Sequence, residues 1–192
     1  YINNIDYSSI NKNSKAYEVL TNLSSTKNNI ILDFNYTAST RLILKQCGLS
    51  DEDIDNRLIK VHGEASNNDI IFGVEDNAGI KKEHVFLRKA YNIKYKALNF
   101  SELYDRIKSV AIFGHSLGET DHTYFNKLFQ ESCMYNKFST NNNKEFWLFY
   151  YKENGYHCMM QQLDSLTHNS LTSFRQYNRV NFINTDKEKV FI

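Results

Sequence analysis

The 192 residues contain no proline, only three cysteines, and a formal net charge of just +1. Each scarcity excludes something. Cys47, Cys133 and Cys158 are odd in number, widely separated and form no Cys-x-x-Cys pair, which argues against a disulfide framework and a closed zinc module. Reduced thiols in packing roles are the expectation. His84, His115, His122, His157 and His168 show no spacing that would set a zinc site on one helix face, so no metal is expected. The near-zero charge gives no electrostatic reason to propose nucleic acid or an anionic membrane as a partner. No run approaches the roughly 20 apolar residues of a membrane helix, and no charged-then-apolar leader precedes the first predicted element, so a soluble, cytoplasmic protein is expected. The lack of proline suits uninterrupted helices and buried strands, although a base-composition bias would leave the same mark.

What is present points to a globular chain. Hydrophobic residues make up 41% and aromatics 14%, enough for a core despite abundant Asn, Ser and Lys. The length suits one domain of about 100–200 residues, so residues 1–192 are expected to form a single α/β domain. Helical patterns cover residues 14–23, 38–47 (closed by Gly48) and much of 83–107, where Phe86, Leu87, Leu98, Leu103 and Ile107 are candidate core residues. Further helices are expected from Thr120 or Asp121 to about Phe138 and from Gly155 to about Thr167. Buried strands are expected at 30–34, 58–61, 70–72, 110–113, 146–151 and 180–183. Asp51 to Asp55 reads as a solvated helix start or loop. Strands alternating with helices imply a largely parallel sheet. The aromatic run at 146–151 lacks interleaved Arg or Lys and reads as core rather than a base-stacking surface.

Three phrases place small polar groups just after a short apolar run, where a parallel sheet presents its strand ends to a ligand. They are Leu32-Asp-Phe-Asn-Tyr-Thr37, Val61-His-Gly63 and Ile112-Phe-Gly-His-Ser-Leu-Gly-Glu-Thr-Asp121. Gly114-His-Ser-Leu-Gly118 matches the nucleophile elbow of α/β-hydrolases, which makes Ser116 a candidate esterase nucleophile. Too little chain follows Ser116 for an acid and a His on separate later strand ends, and Asp164 and His168 fall on one predicted helix. The same glycine turn can instead hold a nucleotide's phosphate or ribose at a helix start. Asp121 either receives a ribose or adenine donor or caps its own helix. His62 is a general base or a structural His-Gly turn, and Asn35 orients a hydroxyl or closes a turn.

The order and spacing of Phe34-Asn-Tyr-Thr37, Val61-His-Gly-Glu64 with Ile70-Ile-Phe-Gly73, and Phe113-Gly-His-Ser-Leu-Gly-Glu-Thr-Asp121 resemble the AbiH family of phage abortive-infection proteins, a branch of the sirtuin-like superfamily. The resemblance spans roughly residues 30–130. It implies a Rossmann-like, three-layer sirtuin-like domain with a nucleotide pocket, incomplete at its N-terminus. Asn35 and His62 fall where the superfamily keeps its catalytic Asn and His. Thr37, Gly114, Ser116 and Asp121 fall at positions implied to bind the cofactor. The implied function is antiphage defence by binding NAD and hydrolysing it to nicotinamide. The implied partners are the nucleotide, a phage-derived trigger and, as an open option, a second copy of the chain.

Two departures qualify the comparison. The Gly-Asn-Gly-Phe-Asp type of strand-turn-helix that would form the diphosphate site does not occur here, so the chain is expected to be the C-terminal portion of a longer protein. Thr37 stands where sirtuins usually have Asp, and the four-cysteine zinc ribbon is missing, which argues against protein deacylation. A non-enzymatic nucleotide-sensing or interaction module is the alternative, and the Ser116 esterase the third reading. If the sirtuin-like reading holds, residues 35, 62 and 116 should line one cleft.

Overall fold

The computed structural model describes residues 9–26, 28–74, 78–91, 106–134 and 143–188. The chain divides into two compact units, Tyr1–Ala97 with Glu188–Ile192, and Leu98–Lys187. Each is built on parallel strands.

In the first unit, helix α1 (Lys15–Ser25) starts at Ser14, whose side chain accepts from the Tyr17 N–H and so satisfies an otherwise unpaired donor of the first turn. Strand β1 (Ile31–Asp33) leads to α2 (Ser39–Gln46) and α3 (Asp51–Asp55), and then to β2 (Leu58–Lys60). Gly48 ends α2 with φ of +90°, its N–H bonding to Lys45 O at 3.0 Å while the Leu49 N–H reaches back to Leu44 O at 3.2 Å. That paired closure needs a left-handed residue, which glycine adopts without Cβ strain. It also turns Leu49 back onto Leu44, and the two pack with Cys47 and Ile54 into a core flanked by Tyr17, Leu20, Ile31, Ile43 and Leu58. Ser50 caps α3, and Arg41 and Lys45 bridge to Asp51 at 2.9 Å each. The Lys45 and Arg41 cations hold the Asp51 carboxyl below its ordinary range. Strands β1 and β2 pair in parallel, with Ile31 opposite Leu58 and Asp33 opposite Lys60.

The second unit carries a three-stranded parallel sheet in the order β3 (Ser109–Ile112), β4 (Glu145–Tyr150), β5 (Arg179–Asn184). The connections contain α4 (His122–Ser132) between β3 and β4, and α5 (Lys152–Leu166) and α6 (Leu171–Tyr177) between β4 and β5; α7 (Thr185–Glu188) follows. Helix α4 packs against α5 and α6. The central strand is the most buried, as its near-continuous apolar run requires: Phe146, Leu148 and Phe149 are all in the core. Phe146 meets Phe129 of α4 and Phe174 of α6 with ring centroids 5.6 and 4.8 Å apart. Asn178 ties the layers by donating to Ser132 O and Phe174 O, both at 2.7 Å.

The α/β class with parallel strands is as the alternation of apolar runs implied. Other expectations are corrected. The strands at 31–33 and 58–60 form one sheet and the strand at 109–112 belongs to another. Residues 70–72 form no strand; Gly63, with φ of +74°, turns the chain, and the Ile71 N–H bonds back to His62 O at 2.9 Å. The α-helix expected from residue 83 is replaced by short 3-10 turns at Lys82–Leu87 and Lys89–Tyr91. Backbone bonds from Val74 N–H to Leu87 O and from Lys89 N–H to Val74 O divert the groups an α-helical ladder would use. Phe86 and Leu87 are exposed rather than in the core, while Leu98, Leu103 and the expected helix beyond Met134 lie outside the described residues. Among the described residues no helix is long and apolar enough to cross a membrane.

Burial pushes the Cys47 and Cys133 thiols up, whereas Cys158 is exposed. Because the thiolate is the reactive form, iodoacetamide under native conditions is expected to label Cys158 on the order of tenfold or more faster than the other two, read by mass spectrometry of peptides.

Candidate functional site

Asp33 and Lys60 are register partners at the last positions of β1 and β2, so their side chains leave the same end of the parallel pair. The Asp33 side chain is only 1% exposed, and a bare carboxylate there would be costly. It is compensated twice. The Asn35 N–H donates to Oδ1 at 2.9 Å, and the Lys60 ammonium donates to Oδ2 at 2.8 Å. The same ammonium donates to the carbonyls of Asn35 at 2.8 Å and Thr37 at 2.6 Å, with Glu64 Oε2 at 3.4 Å. Lys60 thus fixes the loop that presents Asn35 and Thr37. Neither Asp33 nor Lys60 was marked by the sequence as a site residue; the only signal was a pair of charges ending two otherwise apolar strands.

Asn35 and His62 each stand two residues beyond those register partners. Asn35 is exposed, and Thr37 Oγ1 lies 3.0 Å from Ser39 Oγ. His62 is 6% exposed. Tyr36 stacks on its ring at 5.8 Å, Phe34 meets it edge-on at 5.4 Å, and Lys89 Nζ lies 3.5 Å from Nε2. The donor and acceptor roles in this contact follow from the tautomer of His62, whose Nε2 accepts from a Lys89 ammonium only when its proton is on Nδ1.

The turn after His62 has no slack. Gly63 has φ of +74°, and a Cβ added there would lie 2.1 Å from the Asp69 carbonyl oxygen, while the Glu64 N–H donates to Asp69 Oδ1 at 2.6 Å. Gly63→Ala is expected to lose about 2–4 kcal/mol, combining left-handed strain with overpacking against backbone. Gly48→Ala, where φ is +90° and nothing lies within 4 Å, isolates the strain alone at about 1 kcal/mol. Urea denaturation of both variants measures the difference.

In the second unit, Gly114, Ser116 and Asp121 share the loop that follows β3. Gly114 adopts φ of +66° and Leu117 of +55°, while Ser116 is exposed. The Leu117 N–H donates to His115 Nδ1 at 2.9 Å, so the His115 proton is on Nε2 and points at Asp121 Oδ2, 3.3 Å away. Asp121 therefore does not cap α4 with its side chain; it sits at the cap position but is drawn to His115 instead. Among the described residues Ser116 makes no hydrogen bond to a base. His168, the candidate triad imidazole, lies beyond the end of α5 and meets Gln130 Nε2 at 3.0 Å. No three His, Cys, Asp or Glu gather as a metal site among the described residues.

The family model for bacteriophage abortive infection AbiH matches residues 1–148, which include both strand-end loops. The chain belongs to the AbiH family. No curated protein and no solved structure matches it. Membership assigns this AbiH chain to antiphage abortive infection and places the Asn35, His62 and Ser116 loops inside the family's shared region.

Proposed function

We propose that this AbiH-family chain acts in phage defence through a sirtuin-like, Rossmann-like nucleotide pocket at the C-terminal end of β1 and β2. NAD is its ligand in the cytoplasm, and the protein from the complete gene hydrolyses NAD to nicotinamide. The observation that carries this reading is the equivalence of Asn35 and His62, each two residues past a hydrogen-bonded pair of parallel strand ends, the place where open α/β sheets take ligands. In the mechanism, His62 removes a proton from a ribose hydroxyl or water. The Asn35 amide orients that group as positive charge develops on the ribose. Lys60 keeps Asn35 and Thr37 in place, and a phage-derived trigger governs when the pocket acts. On the same reading, Gly114, Ser116 and Asp121 belong to the second unit's own strand-end loop.

One observation favours a second reading, a sensing module that binds nucleotide without chemistry. Lys89 Nζ lies 3.5 Å from His62 Nε2, a ring nitrogen that a general base would turn to its substrate. Titration of NAD into isotope-labelled protein tests the pocket common to both readings. Amide shifts concentrated at residues 33–37 and 61–64 are expected; shifts absent from both segments would refute it.

A further inference from the structure

We propose that Phe72, seated on Tyr36, is a stacking platform for the planar heteroaromatic base of a nucleotide; the inference rests on the strand-end pocket proposed above. Phe72 is 70% exposed, an unfavourable place for a phenyl ring that could bury most of its surface. Its neighbours along the chain are tied down. On one side the Ile71 N–H bonds to His62 O at 2.9 Å, and on the other the Val74 N–H bonds to Leu87 O at 2.9 Å. Gly73 between them packs so closely that an added Cβ would lie 2.4 Å from Leu87 O. The Phe72 ring lies 5.4 Å from Tyr36 with a 37° tilt, and Tyr36 stacks in turn on His62 at 5.8 Å and 27°. Tyr36 is itself fixed by the Ala65 N–H donating to its carbonyl at 2.8 Å.

An open ring at the end of a three-ring series, on a backbone tied down on both sides, does little for its own burial and is placed to receive another flat ring. The polar residues of the same strand end, Asn35, Thr37 and Glu64, suit the hydroxyls of an attached sugar better than an apolar peptide. Stacking is tolerant of ring identity, so pyridine-type and purine bases share the chemistry and the probes must tell them apart.

The test uses the 192-residue chain and saturation-transfer NMR at millimolar nicotinamide mononucleotide, AMP and ribose 5-phosphate. Wild-type protein is expected to saturate the ring protons of at least one base-bearing probe, which identifies the base. Phe72→Ala and Phe72→Leu are expected to weaken that probe about 5- to 100-fold, with ribose 5-phosphate unchanged and Phe72→Trp retaining affinity. Both variants should fold, because the ring is exposed. Base binding unchanged in Phe72→Ala and Phe72→Leu, or ribose 5-phosphate weakened equally, would overturn the platform while leaving the strand-end pocket intact. No binding of any probe to wild-type protein would overturn the pocket and the platform together.

Discussion

Lys60→Met is expected to destabilise the first unit by about 3–5 kcal/mol, because it strands the Asp33 carboxylate without its cation. The Asp33 side chain is 1% exposed and Lys60 only 17%, so water replaces little of the lost interaction. The backbone suffers too. Lys60 also holds the Asn35 and Thr37 carbonyls, which lose a charge-assisted donor in the variant. The double variant Asp33→Asn with Lys60→Met should regain part of the loss, since it removes the buried charge but leaves those carbonyls unpaired. Urea denaturation of the three proteins checks the ordering: wild type most stable, double variant next, Lys60→Met last. If Lys60→Met matched wild type, the clamp would have no energetic weight.

His62→Ala should reduce nicotinamide release by about 10²–10⁴-fold, the contribution of a positioned general base. His62 also packs between Phe34 and Tyr36, so alanine leaves a void and some stability is lost with the imidazole. His62→Gln keeps most of the volume and an acceptor but cannot carry the proton, and it should show the same fall in rate with a smaller loss of stability. Equal falls in rate in the two variants assign the effect to proton transfer. A rate that follows stability instead, low in alanine and near wild type in glutamine, would make His62 a packing residue. Nicotinamide release at saturating NAD, beside thermal unfolding of each variant, separates the two.

The parts of the fold readable from sequence are those fixed by local chemistry. Gly48 closes α2 because only a left-handed residue completes that cap, and the apolar run from Phe146 to Tyr150 lies in the central strand β4, where Phe146, Leu148 and Phe149 are buried, while Tyr151 falls outside it and is exposed. Asn35 and His62 were legible as candidates because each follows a short apolar strand. The clamp between Asp33 and Lys60 was not, since the partners are distant in sequence and share no periodic pattern. The same is true of the 3-10 turns at Lys82–Tyr91. Their conformation depends on backbone bonds to Val74, and the apolar residues there gave a helical pattern that tertiary contacts overrode. Asp121 looked like a helix cap because nothing local revealed that His115 would capture its carboxylate.

The most direct test of the central claim is a chromatographic assay of NAD and nicotinamide with protein expressed from the complete gene, in a form shown to protect cells from phage. Stoichiometric conversion of NAD to nicotinamide, abolished or nearly so in His62→Gln, is the result expected of a strand-end NAD hydrolase. Intact NAD in the presence of fully protective protein would contradict the enzyme reading and leave the site as a nucleotide sensor.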